Sequence, residues 1–355
     1  MVLTEFLEEW NNDSPQLLVH TSGSTGTPKP MWVDKAKMRA GAALTCHFLG
    51  LKSGDTALLC MPLDYIAGKM MVVRALEGNL RLISVDPTGH PLKNVNDPIR
   101  FAAMVPMQVY NSLQVEEEAA KLRTIDHLLI GGGAISEELE EALRDFPNCV
   151  WSSYGMTETL SHIALRRING VEASDWYTPL PGVSLSVNAE GCLVIDAPRV
   201  CDGQLTTNDR VELKTFPVVD KNEGMHMSVT RFRVLGRKDN VITCGGVKIQ
   251  MEEVEQLLRR HIRMPFLITK AKDEKFGEKV VLLFESGTEN ADSTLPYNKE
   301  DTAAYLQKIC KEVLPKYWQP RGFVAVGQLP MTETGKPRRA EAERMAEQWR
   351  NGEPY

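Results

Sequence analysis

The sequence contains no Cys-x-x-Cys pair. Its seven cysteines are scattered from Cys46 to Cys310, whereas zinc sites and disulfide frameworks need close or matched pairs. Reduced thiols in a cytoplasmic protein are the expectation. No window approaches 18 uninterrupted apolar residues, and no charged-then-apolar leader precedes Thr4. Neither a membrane span nor a secretory signal is therefore expected. A basic excess is also missing: the formal net charge is −6, which argues against nucleic acid or an anionic membrane surface as partner. The seven histidines are dispersed, and no Ser/His/Asp or Cys/His nucleophile order emerges. Repeats and low-complexity tracts are lacking, and only residues 287–298 read as a long polar loop. What is present is a chain of 355 residues, 43% of them hydrophobic, long enough for one large domain with an ample core and a smaller second one.

Short apolar runs at 17–20, 56–61, 80–85, 101–105, 127–130 and 150–153 read as strands. Helical patterns at 69–76, 107–113 and 136–146 lie between them, the last with Ser136 as its cap. Fully apolar strands alternating with helices predict a mostly parallel sheet covered on both faces. Between 182 and 232 shorter alternating runs with Gly, Asn and Asp turns predict a small antiparallel barrel or sheet. Beyond Asp239 comes an α+β lobe: a helix over 251–262 with Val254, Leu257, Leu258 and Ile262 on one face, strands at 266–269 and 280–284, a helix over 301–313 and a strand at 323–326. The expected division is 1–238 and 239–355.

The strongest motif is Thr21-Ser22-Gly23-Ser24-Thr25-Gly26-Thr27-Pro28-Lys29, directly after a strand. Its hydroxyls, glycines and backbone amides suit phosphate oxygens, and Lys29 adds a mobile cation. It lacks the Gly-Lys-Ser/Thr ending of a P-loop. Tyr154-Gly155-Met156-Thr157-Glu158 offers a flat ring for adenine, a hydroxyl for a phosphate and a carboxylate for Mg²⁺, which binds through one or two carboxylates plus substrate phosphates. The ordinary alternative for Glu158 is a helix-capping glutamate, for Asp209 a turn aspartate, and for Lys336 a solvated patch with Arg338 and Arg339.

TSGSTGTPK resembles the phosphate loop of the adenylate-forming superfamily, which includes acyl- and aryl-CoA synthetases, firefly-type luciferases and peptide-synthetase adenylation domains. Four further segments follow in that family's order across residues 21–336: 154–158, Thr207-Asn208-Asp209, Gly236-Arg237-Lys238-Asp239-Asn240 with Gly245-Gly246, and 330–336 ending in Gly335-Lys336. The resemblance implies an α/β N-terminal domain with a smaller α+β lobe, and ATP, Mg²⁺ and coenzyme A as reaction partners. It implies that Asp209 and Arg237 hold the ribose, that Gly132 joins the nucleotide set and that Asp239 is the hinge. It further implies that Gly245 and Gly246 admit the pantetheine arm and that Lys336 stabilises charge at the α-phosphate, with Thr157 and Glu158 as its catalytic companions.

Within the family, residues 154–163 look most like o-succinylbenzoate–CoA ligases, which act in menaquinone synthesis. The resemblance places the acid beside Tyr65, Gly68 and Met107. A second carboxylate would be costly to bury without a partner; Lys69, at the start of the helix beyond Tyr65 with Arg74 five residues on, is the candidate, and Ser161 and His162 are competing donors. Solvated surface cations are the ordinary alternative for Lys69 and Arg74, and core packing for Met104 and Met107. Three departures from the family pattern stand out. Only 20 residues precede the loop, so an N-terminally shortened fold is expected, with a homodimer or a reduced core covering the exposed face. Pro30 replaces a glycine, and Asn208 replaces another, expected to take a left-handed turn. Another aryl- or short-acyl-CoA ligase, a carrier-loading adenylation enzyme and a non-catalytic nucleotide-binding regulator are the alternatives.

Overall fold

The computed structural model describes residues 1–20, 30–219, 226–285, 299–332 and 336–351. The chain divides into two compact units. The first holds residues 1–189, 193–207 and 212–233, and the second holds 190–192, 208–211 and 234–355.

The first unit opens with helix α1 (Leu3–Asn11), which buries Phe6 and Trp10. Strands β1 (Gln16–His20) and β2 (Pro30–Asp34) form a separate two-stranded antiparallel sheet. The run at 17–20, read from sequence as part of the alternating β/α region, thus stands outside the parallel sheet. Helix α2 (Lys35–Phe48) follows.

Then comes the alternation that the apolar runs foretold: β3 (Thr56–Leu59), α3 (Ile66–Glu77), β4 (Arg81–Ser84), β5 (Phe101–Met104), α4 (Pro106–Leu113), α5 (Glu116–Thr124), β6 (His127–Ile130), α6 (Glu137–Leu143) and β7 (Cys149–Gly155). Strands β8 (His162–Arg167) and β9 (Thr178–Pro179) complete a seven-stranded sheet of order β4-β3-β5-β6-β7-β8-β9. The pairings from β4 to β7 are parallel, and β8 and β9 add antiparallel. Burial on both faces explains the unbroken apolar strands: every residue of β5 is buried, and Leu58, Ala102, Leu128 and Val150 share one core. Ser136 caps α6, its Oγ accepting from the Leu139 amide at 3.2 Å.

Strands β10 (Ser184–Val187), β11 (Cys192–Asp196), β12 (Gln204–Val219) and β13 (His226–Arg237) form a four-stranded sheet where the short alternating runs lie, with β10 and β11 antiparallel.

The second unit is built on β14 (Val241–Cys244), β15 (Val247–Gln250), α7 (Met251–Arg259), β16 (Phe266–Asp273), β17 (Gly277–Glu285), α8 (Lys299–Val313), β18 (Gly322–Val326) and α9 (Arg339–Asn351). Val254 and Leu258 of α7 pack on Ile268, Val280 and Leu282, while Leu257, on the expected apolar face, is exposed. All seven cysteines are free thiols, and burial pushes Cys60 and Cys310 up to about 12. No helix among the described residues is long and apolar enough to cross a membrane.

Candidate active site

The first unit brings its sequence-selected residues to one edge of the parallel sheet. Chain order and strand order diverge between β3 and β5, and ligands of such sheets bind beyond the carboxyl ends of the strands at that switch point. Tyr65 and Gly68 follow β3, Met107 follows β5, Gly132 follows β6, and Thr157 and Glu158 follow β7. His20, the last residue of β1, bridges in parallel to Tyr65. The Ser/Thr/Gly segment (Thr21, Ser22, Gly23, Ser24, Thr25, Gly26 and Lys29) lies outside the described residues.

Close backbone approaches explain several glycines. A β-carbon on Gly68 would stand 2.3 Å from the Pro62 carbonyl oxygen, and one on Gly155 would stand 2.1 Å from that of Ser161. Gly132 has φ +78°, a conformation open to glycine at no steric cost. Gly155→Ala is expected to destabilise the first unit by about 1–3 kcal/mol, the usual cost of overpacking. A urea midpoint equal to wild type would mean that the 155–161 segment relaxes freely.

Past Gly155, residues Thr157–Thr159 make a 3₁₀ turn. Thr159 closes it, its Oγ1 accepting from the Met156 amide at 3.0 Å, so capping does not fall to Glu158, whose side chain is exposed. Leu160 then adopts φ +63°, sparsely populated for a γ-branched residue. Tyr154 packs edge-to-face on Phe232 and Tyr177, with ring centroids 4.9 and 5.9 Å away. Among the described residues no group of three or more His, Cys, Asp or Glu could hold a metal ion. A lone exposed carboxylate at Glu158 nevertheless fits Mg²⁺, whose other ligands are substrate phosphates and water.

Neither Lys69 nor Arg74 is a solvated surface cation: each side chain is 2% exposed. They nonetheless face different surroundings. Lys69 lies under α1, with Nζ 3.7 Å from Glu9, 3.3 Å from Met1 Sδ and 5.2 Å from the Phe6 ring centroid. Arg74 donates from Nη2 to Ser161 Oγ at 2.5 Å. Ser161 Oγ lies 3.3 Å from His162 Nδ1, and His162 Nε2 lies 3.0 Å from Thr45 Oγ1. No acid partner pairs with Arg74 among the described residues, and its Nε has no hydrogen-bond partner there. Burial lowers its pKa to about 10, still cationic at neutral pH, and burial with the Arg74 charge holds His162 well below its ordinary value. Arg74, Ser161 and His162 therefore form one cluster, which Lys69 does not join. Thr45 was not legible in the sequence, because nothing local marks a helix hydroxyl as the partner of a residue 117 positions away.

The methionines also separate: Met104 is core and Met107 is exposed. Gln108 was named only as part of the pocket segment. Its Nε2 ties the Cys60 and Thr88 carbonyls at 2.9 Å each, and its Oε1 accepts from the Val105 amide at 3.2 Å, across the ends of β3 and β5.

The second unit assembles its own set. Arg237 Nη1 lies 3.5 Å from Asp209 Oδ1, and Nη2 donates to Asp239 Oδ2 at 2.9 Å. Asn208 and Asp209 lie within β12 rather than a turn, and Asn208 is not left-handed: its amide donates to Asp239 Oδ2 at 3.1 Å. Lys336 is half-buried. Burial, and then the Arg237 charge, lower its ammonium below the ordinary lysine range, with Asp209 acting the other way. Gly245 and Gly246 have φ +58° and +84° and close the hairpin between β14 and β15, where Cys244 pairs with Val247. That is a two-residue turn with both φ positive, which glycine serves best. Gly335 lies outside the described residues.

A family model described as AMP-binding enzyme matches residues 4–204. The 2-succinylbenzoate–CoA ligase of Escherichia coli (strain K12) is 29% identical over 302 residues, covering 83% of this chain and 64% of that enzyme. The chain thus spans under two thirds of that relative's length. The 2-succinylbenzoate–CoA ligase of Bacillus mycoides (strain KBAB4) is 23% identical over 365 residues, covering 96% and 72%.

Among solved structures, an acyl-CoA synthetase (AMP-forming)/AMP-acid ligase II-like protein from Dyadobacter fermentans is 33% identical, with TM-score 0.59, covering 96% of this chain and 93% of that one. The o-succinylbenzoate coenzyme A synthetase of Bacillus subtilis, in complex with ATP and magnesium ion, is 22% identical with TM-score 0.69, covering 91% and 68%. The family match spans more than half of the chain, and this protein belongs to the AMP-binding enzyme family, with the α/β fold of its adenylate-forming members.

Proposed function

We propose that this chain activates a carboxylic acid with ATP and passes the acyl group to coenzyme A, and that the acid is o-succinylbenzoate. The observation that carries the enzymatic reading is the half-buried Lys336 in the field of Arg237 and Asp209. A protein that only bound nucleotide would have no use for a desolvated ammonium there.

In the first half-reaction a carboxylate oxygen bonds to the α-phosphorus and the bond to pyrophosphate breaks. Negative charge grows on the α-phosphate oxygens, and the Lys336 ammonium stabilises it more in the transition state than in the ground state. Thr157 donates its hydroxyl to the same phosphate, Tyr154 supports the adenine, and Asp209 accepts from the ribose hydroxyls. Glu158 would hold Mg²⁺, which when bound offsets phosphate charge. In the second half-reaction the sulfur of coenzyme A bonds to the acyl carbon and AMP leaves. The small Gly245-Gly246 turn offers no side chain to obstruct the pantetheine arm, and a β-carbon on Gly246 would meet nothing within 4 Å.

The substrate reading draws support from the relatives and from Arg74. A dicarboxylic acid must keep its second carboxylate away from the α-phosphate, and that charge needs a partner once desolvated. A buried guanidinium without an acid partner among the described residues, beside Ser161, is suited to the task.

Pyrophosphate release with a panel of acids tests both readings. o-Succinylbenzoate should give the highest kcat/KM, monocarboxylic benzoates much less. Preference for a different acid would remove the substrate, and no release with any acid would remove the enzymatic reading.

The hinge gives a further expectation. Asp239 lies in a 3₁₀ turn, Lys238–Asn240, where proline would fix φ near −65°. Asp239→Pro should leave pyrophosphate release largely intact while thioester formation collapses. Asp239→Ala, which removes the carboxylate alone, serves as the control. Two unchanged half-reactions in the proline variant would place the hinge elsewhere.

A further inference from the structure

Lys336 borders a short antiparallel pairing, Met331 with Pro337, whose two flanks are anchored elsewhere in the second unit. Around Lys336, Thr332 N donates to Lys336 O at 2.8 Å, Lys336 N to Thr332 Oγ1 at 3.0 Å, and Arg338 N to Pro330 O at 2.8 Å. These bonds pair 330–332 with 336–338; on the incoming side Leu329 N donates to Glu285 Oε1 of β17 at 2.9 Å, and the outgoing side has an anchor of its own. The next residue, Arg339, begins α9 and makes a two-pronged pair with Glu255 of α7: Nη1 to Oε1 at 2.7 Å and Nη2 to Oε2 at 2.9 Å. Nη1 also donates to the Ile268 carbonyl at 2.7 Å, and Glu255 Oε1 accepts from the Ile268 amide at 2.8 Å. Glu255 is buried and Arg339 partly so. In that setting a planar fork on a carboxylate fixes orientation as well as distance.

One turn earlier on α7, Glu252 bonds to Asn240 and accepts from Gln250 Nε2 at 2.6 Å. Gln250 Nε2 in turn donates to the Arg237 carbonyl at 2.8 Å. The first two turns of α7 thus hold the end of β13, which carries Arg237, and the root of the pairing beside Lys336. Glu252 and Glu255 are three residues apart, so they share one side of the helix.

We infer that Glu255 and Arg339 are positioning residues for Lys336, holding the pairing beside it in register with Arg237 through α7. The inference rests on the ligase reading above. Neither residue touches the reacting atoms. Their effect is to keep the Lys336 ammonium where α-phosphate charge develops, and about 1 Å of displacement there costs on the order of 100-fold in rate.

Three variants test this: Glu255→Gln, Arg339→Lys, and the double variant Glu255→Met/Arg339→Met. The double change removes both charges together, which is often neutral for stability, so it separates positioning from folding. In all three, adenylation kcat is expected to fall by about 100-fold, with the KM for ATP unchanged. Thioester formation from supplied acyl-adenylate should hold. The alkaline limb of the adenylation profile should move to higher pH, because a looser pairing exposes Lys336 to water and relieves the burial that lowers its pKa. A parallel fall of both half-reactions, or a well-folded double variant with wild-type adenylation, overturns the inference. Wild type that releases no pyrophosphate with any acid overturns the ligase reading itself, a different result.

Discussion

Lys336→Ala is expected to slow adenylate formation by about 10²–10³-fold, the usual cost of removing one preorganised group that stabilises transition-state charge. Thioester formation from supplied acyl-adenylate should be nearly unaffected, since in the proposed cycle the lysine leaves the site before the thiol attacks. The pH profile carries a second signature. The protonated amine is the active form, and burial with the nearby Arg237 lowers its pKa. Adenylation should therefore decline as pH rises through a value below the ordinary lysine range, and that alkaline limb should vanish in the alanine variant. Pyrophosphate and thioester assays run separately on one preparation decide the matter. Equal loss in the two half-reactions would remove Lys336 from the first step.

Arg74→Met is expected to separate stability from substrate use. The guanidinium is buried with no acid partner among the described residues, so its loss should leave the thermal midpoint unchanged or raise it. Ser161 Oγ retains its contact with His162. The kcat/KM for o-succinylbenzoate should nevertheless fall by about 30-fold or more, because losing one partner of a buried charge pair costs about 2–5 kcal/mol. The KM for ATP should stay put, and so should turnover of a monocarboxylic benzoate. A variant that loses both acids equally, or melts far below wild type, would assign Arg74 a structural role only.

Lys69→Met provides the contrast. Its ammonium is engaged by Glu9 under α1, so its substitution should act through packing of that helix, with a lower thermal midpoint and no selective change in the KM for the acid. A selective rise in that KM at wild-type stability would return Lys69 to the acid site.

Much of the architecture was legible because its causes are local. Strands buried on both faces must be continuously apolar, which set β3, β5 and β6 apart from the alternating runs of the four-stranded sheet. Consecutive glycines at 245 and 246 announce a turn that other residues resist. The β1–β2 pairing was less legible, because a four-residue apolar run does not say whether its partner lies parallel or antiparallel. Asn208 misled for a related reason. A residue standing where relatives have glycine suggests a left-handed turn, yet here its side chain reaches Asp239 from an extended strand.

The sequence by itself determined the chemical inventory: which residue types stand at the strand ends, and in what order along the chain. Only the tertiary structure decided which cation faces which neighbour. Lys69 and Arg74 are five residues apart on α3, about 140° around a helix of 3.6 residues per turn, so they cannot point the same way. What each one meets is supplied from far along the chain: α1 places Glu9 against Lys69, and the segment after β7 places Ser161 against Arg74. The same holds in the second unit, where Asp209, Arg237 and Lys336 are brought together and Glu255 finds Arg339 across 84 positions. Burial then changes the chemistry of these groups, because removal from water shifts a pKa and makes an unpaired charge costly. Such effects depend on what surrounds a side chain in three dimensions, and no linear pattern of residues encodes them.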